Sequence, residues 1–201
     1  MKLKNPNIDL TPNLVASMAN HPRKRGRYSA SELFFIFYGV GRLRTTPEKW
    51  LKPTDKELDA MFKMWDGNVI HHAVQELLRR GYKEEKREYK CDFGGILVAK
   101  ADYLPDERDG VPEEDEVWEF KSSEKLMEKA KEWHIYQTKL YCSMFGKRVG
   151  KIFQPVRKGN KTIHLKLIGT VARDDEWFLE EIAKLYDFHM RVEELCELKN
   201  K

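Results

Sequence analysis

Apolar and polar residues alternate over 86–93 and again over 95–104, with Gly94-Gly95 between the two runs. Successive strand side chains face opposite ways, so this period of two predicts a pair of strands joined by a hairpin. A third apolar run, EVWEFK at 116–121, predicts another strand. VGKIFQPV and KTIHLKLIGTV flank Lys158-Gly159-Asn160 and predict a second hairpin. Helical signals fill the gaps. Ser29 or Ser31 can cap a short helix through LFFIFYGV at 33–40, ended by Gly39 and Gly41. Thr54 with Glu57 three residues on forms a capping box after Pro53, and the helix it starts reaches Arg80, with Gly81 as its stop. Gly67 interrupts that helix. Ser122 or Ser123 caps a helix over 124–145, closed by Gly146, and a last helix covers roughly 174–198. The order is helix, three strands, helix, two strands, helix (αβββαββα), an α/β domain whose central mixed sheet is flanked by helices.

Composition narrows the class. At 201 residues, 41% hydrophobic and 35% charged, the chain reads as a folded soluble domain. The net charge of +4 does not by itself mark a nucleic-acid binder; its distribution says more. HPRKRGR at 21–27 is a basic run, Arg42 and Arg44 follow it, and acid collects at 106–119. Residues 1–28 therefore read as a basic N-terminal arm and 29–201 as one domain. No apolar run approaches the roughly 20 residues of a membrane span. Cys91, Cys142 and Cys196 are scattered with no CxxC pair, so no zinc site or cluster is expected. An odd cysteine number without a signal peptide suits a reducing, cytoplasmic compartment.

The chemistry concentrates in Glu119-Phe120-Lys121. Glu119 and Lys121 lie two apart on a strand and share a face. A charged pair in so apolar a strand costs free energy unless it is compensated. A divalent metal and a phosphate would compensate it. Asp102 ends the apolar run ILVAKAD, so two neighbouring strands can aim Asp102, Glu119 and Lys121 into one pocket. Hard carboxylate oxygens suit Mg²⁺ or Mn²⁺. The pattern [DE]xK also occurs at Glu84–Lys86, Glu88–Lys90 and Glu197–Lys199. Of the four, only Glu119–Lys121 follows a strand aspartate and precedes a helix directly.

Together these residues resemble the PD-(D/E)XK nucleases of the RecB-like branch. Gly67 to His71 matches the family's G-x-x-x-H, Asp102 its strand-end aspartate, Glu119-Phe120-Lys121 its [DE]-x-K, and Gln137 to Tyr141 its Q-x-x-x-Y. Ser29-Ala30-Ser31-Glu32-Leu33 is similar to the family's first helix start. Ala99 stands where the family often has glycine, three residues before the aspartate. The C-terminal cysteine triplet of the CRISPR-associated members is missing, so the resemblance is to a member without an iron–sulfur cluster.

The resemblance implies a restriction-endonuclease-like core and a metal-dependent DNA nuclease. His71, Asp102, Glu119 and the Phe120 carbonyl would hold the metal. Lys121 would orient water or stabilise charge, and Gln137 and Tyr141 would brace the site. His72, about 100° further round the helix, is not expected to share that site. Arg23, Lys24, Arg25, Arg27, Arg42 and Arg44 would meet the backbone of DNA, the expected partner. An exonuclease on single-stranded or free ends is the leading expectation. The alternatives are an endonuclease and a non-catalytic binding module of a recombination or CRISPR-related complex. A homo-oligomer is compatible with the family, and no membrane partner is expected. Trp133 and Tyr136 read as core or rim aromatics, with base stacking as the second reading.

Overall fold

The computed structural model describes residues 25–51, 69–78, 82–105, 115–123, 125–158 and 162–199. Gly67, Arg23, Lys24 and the start of the expected 54–80 helix lie outside them. The elements are β1 (Arg27–Ser29), α1 (Ala30–Phe37), a 3₁₀ turn (Gly41–Leu43), α2 (Pro47–Leu51) and α3 (69–78). Then come β2 (Tyr82–Lys83), β3 (Lys86–Lys90), β4 (Ile96–Lys100), β5 (Tyr103–Leu104) and β6 (Glu116–Phe120). The chain continues with α4 (Glu132–Phe145), β7 (Val149–Lys158), β8 (Thr162–Ala172) and α5 (Asp175–Lys199). The mixed α/β architecture is the expected one.

The strands form two sheets, ordered β1-β4-β3 and β2-β5-β6-β7-β8. One hairpin links them. Lys86 pairs with Lys100 and Lys83 with Tyr103, so the antiparallel register is unchanged from one sheet to the other. Between the sheets the hairpin bends. Glu84 takes a left-handed φ of 52°, and its N–H donates to the Asp102 carbonyl at 3.3 Å. The expected 95–104 strand is thus one ladder with a bend, and Asp102 sits at that bend. At the hairpin tip Gly94 has φ 90°, a conformation that suits glycine.

Sequence patterns account for several elements directly. Ser29 caps α1: its hydroxyl accepts from the Ser31 N–H, and Glu32 accepts from the Ser29 N–H, completing a capping box. Gly146 ends α4 in the left-handed conformation. The arm boundary is different from the expectation. Tyr28 is fully buried and β1 pairs in parallel with β4, so folded structure already includes Arg27.

The start of α4 also departs from expectation: it lies at Glu132, not near 124. The intervening backbone is hydrogen-bonded to the sheet instead. Gln154, buried on β7, accepts from the Met127 N–H at 2.8 Å and donates to the Lys125 carbonyl at 2.9 Å. A bulge on β8 leaves Ile168 without a strand partner, and its carbonyl accepts from the Ala130 N–H at 2.7 Å. Those tertiary bonds outcompete the helix that the serines could have capped.

α4 lies close to β7 because Gly150 has no side chain. A Cβ there would collide with the Thr138 methyl and come within 2.9 Å of Cys142 Sγ, both on α4. Gly150→Ala is therefore expected to cost about 1–3 kcal/mol by overpacking. Urea denaturation checks this; unchanged stability would contradict the close approach.

The main core joins α1, α2, α4 and α5 to the three-stranded sheet through Tyr28, Leu33, Trp50, Leu97, Leu140 and Leu185. On the other face of the larger sheet, Val74 and Leu78 of α3 pack with Tyr103 and Phe120. No helix among the described residues is long and apolar enough to cross a membrane.

Candidate active site

β6 supplies both faces of the site. Val117 and Glu119 point into the layer beneath α4, while Trp118 and Phe120 face the α3 side. Glu119 is 1% exposed. Its carboxylate is held by two donors: Lys121 Nζ at 2.9 Å and the Asp102 backbone N–H at 3.3 Å. Asp102 reaches back across the strand pair and accepts from the Phe120 N–H at 2.8 Å. The bend in the hairpin makes this possible, since a straight strand would keep both backbone groups in the ladder.

Helices complete the site from both sides. On α4, Gln137 and Tyr141 are one turn apart. Gln137 accepts from Lys121 Nζ at 2.9 Å and donates to the Tyr141 hydroxyl at 2.8 Å. On α3, His71 Nδ1 lies 3.6 Å from Asp102 Oδ1, and its ring meets Phe120 edge-on at 6.3 Å between centroids. The other ring nitrogen, His71 Nε2, is buried without a hydrogen-bond partner among the described residues. His72 is exposed. His71→Ala is expected to weaken Mn²⁺ binding, whereas His72→Ala leaves it near wild type. Calorimetric titration of both checks this, and equal affinities would refute the assignment to His71.

The electrostatics follow from burial. Glu119 is pushed up to about 8, first by burial and then by the Asp102 charge, against the pull of Lys121. Burial also pushes Asp102 up, but His71, Lys121 and the Phe120 N–H outweigh it, and the net shift is down. Lys121 is raised: the two carboxylates more than offset the burial that would lower it. A proton on the Glu119–Asp102 pair is therefore held by Glu119.

Two contributors escaped the sequence reading. Gln75 is buried one helical turn after His71, and its amide donates to the Asp102 carbonyl at 2.7 Å. The i, i+4 spacing from His71 was the available signal. His134 is lowered to about 4 by burial and then by the charges of Lys121 and Lys131, so it is neutral at physiological pH. The competing [DE]xK pairs lie elsewhere. Glu88 accepts from Arg27 and bonds Lys86, and Glu84 pairs with Lys100 at 2.9 Å.

The basic residues do not form one free arm. Arg25 makes a bidentate pair with Glu193, and Arg27 pairs with Glu88. Arg44 is exposed and lines a cavity of about 440 Å³ with Lys184 and Arg191. The Arg42 side chain lies outside those described.

The fold is a mixed α/β domain that brings two carboxylates and a lysine together. The chain is similar to the crystal structure of an alkaline exonuclease, LHK-Exo, from Laribacter hongkongensis, with TM-score 0.60 and 14% identity over 94% of this chain and 98% of that one. A second structure of LHK-Exo, in complex with dAMP, gives TM-score 0.59 and 15% identity over 88% of this chain and 94% of that one. No family model matches the chain, and no curated protein matches its sequence. At such identity the likeness is one of fold.

Proposed function

We propose that this chain is a metal-dependent deoxyribonuclease that hydrolyses phosphodiester bonds, acting as an exonuclease on single-stranded or free DNA ends. One observation carries the reading: Asp102, Glu119, Lys121 and Gln137 converge in a single hydrogen-bonded string, with His71 Nδ1 3.6 Å from Asp102. The likeness of fold to an alkaline exonuclease supports it. Within the superfamily, the helical histidine and the Q-x-x-x-Y pair favour the RecB-like branch.

The donor set fits a hard divalent cation. Two carboxylates and one imidazole adjoin, and the buried His71 Nε2 has no other partner. Among the described residues no three acidic, histidine or cysteine side chains already stand grouped as ligands; Lys121 and backbone N–H groups satisfy the carboxylates instead. His71, Asp102, Glu119 and the Phe120 carbonyl would hold Mg²⁺ or Mn²⁺. Such an ion polarises a phosphate and lowers the pKa of water.

The chain's own residues do the rest. Lys121 presents a cation to a phosphate oxygen, and Gln137 fixes its ammonium. Tyr141 fixes Gln137 in turn. Gln75 and the Phe120 N–H fix Asp102. This is pre-organisation of charge in a dry site, where each interaction is worth more than in water. Arg23, Lys24, Arg25, Arg27, Arg42 and Arg44 remain the proposed backbone contacts. Arg44 needs no exchange of an ion pair among the described residues, whereas Arg25 and Arg27 would trade Glu193 and Glu88 for phosphate.

Cleavage is expected to require Mg²⁺ or Mn²⁺ and to stop in excess chelator. Linear single strands should be degraded while closed circular ones persist. Cutting of circles would favour the endonuclease reading. Full activity in chelator would sink the metal assignment, and no cleavage of either strand would leave a binding module.

A further inference from the structure

Trp133 reads from the sequence as a core or rim aromatic or as a base-stacking one, and its surroundings favour the second. Trp133 stands on the first turn of α4, one turn before Gln137, the residue that holds Lys121. Phe35 of α1 meets it, with ring centroids 6.1 Å apart and planes tilted by 46°. Both residues are half-buried: each ring meets Phe34, but neither belongs to a hydrophobic cluster among the described residues. Their neighbours behave differently: Phe34, Phe37 and Trp177 pack against the main core. Phe35 and Trp133 thus form an aromatic ledge at the surface, on the α4 side of the catalytic lysine.

Cations frame the ledge. Lys131 Nζ sits 4.7 Å from the Trp133 ring centroid and has no ion pair among the described residues. Tyr38, 44% exposed, continues the aromatic row from Phe34, and Lys184 donates to its hydroxyl at 2.7 Å. Flat apolar faces interleaved with exposed ammonium groups match the chemistry of unpaired nucleic acid, whose bases have π-faces and whose backbone is anionic. A duplex would not use this ledge, because its bases are already stacked on one another. A protein partner would leave the catalytic side unexplained.

We infer that Phe35 and Trp133 form a stacking subsite for an unpaired base of a single DNA strand beside the scissile phosphate, with Lys131 at the backbone. The subsite rests on the nuclease reading above and deepens it by naming the form of the substrate. It requires the strand to be unpaired next to the site. Because every base has a π-face, it adds affinity without sequence preference.

The test is binding in excess chelator, so that no strand is cut. Fluorescence anisotropy with a labelled strand of about ten thymidines compares wild type, Trp133→Ala, Trp133→Phe and Phe35→Ala. Trp133→Ala is expected to weaken binding roughly tenfold, and Trp133→Phe roughly twofold, since phenylalanine keeps a stacking face. A single abasic sugar moved along the strand should find one position that costs wild type as much as Trp133→Ala does. At that position the two losses should not add, because they remove the same contact. Equal affinities for wild type and Trp133→Ala, or additive losses at every position, overturn the subsite. If Trp133→Ala misfolds, Trp133→Phe with the abasic scan still decides the matter. Metal-dependent cleavage that persists beside a flat abasic scan removes the subsite alone. A protein that binds no strand removes the nuclease reading and the subsite together.

Discussion

Lys121→Ala is expected to reduce DNA cleavage by roughly 10²–10³-fold, on the order of 3–4 kcal/mol of barrier, the scale of removing one pre-organised electrostatic stabiliser. The ammonium sits between Glu119 Oε2 and Gln137 Oε1, each at 2.9 Å, so its position is set by the protein rather than by solvent. The fold should survive. Without the lysine, Glu119 holds its proton more tightly still, and a neutral carboxyl is tolerated where an unpaired carboxylate is not. Circular dichroism should match wild type, and Mn²⁺ titration should still show binding. Cleavage within threefold of wild type would sink the assignment. Glu119→Ala should be at least as damaging, while Glu88→Ala should be harmless, because Glu88 serves surface pairs with Arg27 and Lys86. The reverse outcome would mean that the wrong strand carries the chemistry.

The same buried carboxylate links function to stability. In chelated protein the Glu119 pKa is raised from the ordinary 4.5 to about 8. The folded state then binds the extra proton between those limits, so the contribution of Glu119 to stability is fully present below pH 4.5 and is lost as pH rises through about 8. Glu119→Gln removes that loss. On the proposed nuclease reading, activity and stability pull in opposite directions at this position.

Glu181→Ala is expected to cost about 3–5 kcal/mol, the largest stability loss of any single polar change considered. Glu181 lies on α5 and is fully buried. Its carboxylate accepts from the Tyr136 hydroxyl at 2.6 Å, the Tyr38 hydroxyl at 2.6 Å and Lys184 Nζ at 2.6 Å. Burial, reinforced by this hydrogen bond, raises both tyrosines, so they stay protonated and donate. Removing the acceptor leaves the buried Tyr136 hydroxyl stranded beside Phe34 and Trp177 and opens a cavity. Lys184→Met should cost far less, since the lysine is half-exposed and the tyrosines still serve the carboxylate. Urea midpoints at unchanged slope measure both. Equal losses for the two variants would show that the cation, not the tyrosine pair, holds Glu181 in place.

Much of the fold was legible along the chain. The Gly94-Gly95 hairpin, the Ser29 cap and the Gly146 stop are local signals that the structure repeats. Each depends on a few neighbouring residues, and no distant contact competes for them among the described residues. The start of α4 was not legible. Ser122 and Ser123 offered a cap, but Gln154 and the Ile168 carbonyl take the backbone of 125–130 from elsewhere in the chain. The bend at Asp102 was equally hidden, because alternation is the same on a straight strand and on one shared between two sheets.

The candidate site divides in the same way. Residue type and spacing determined that Glu119 and Lys121 share a strand face, that Gln137 and Tyr141 share a helix face, and that an aspartate ends the apolar run before them. Periodicity alone requires these, for side chains two apart on a strand and four apart on a helix must neighbour one another. Only the tertiary structure decided that the strand face and the helix face meet at the Lys121 ammonium, and that Gln75 joins His71 on Asp102. It also decided that Arg25 and Arg27 are tied to Glu193 and Glu88, and that Trp133 meets Phe35 outside the core. Those pairings join residues far apart in the chain, and no local pattern encodes them; at the site, the bent hairpin puts Asp102 beside Glu119, and the glycine at 150 lets α4 lie close to β7.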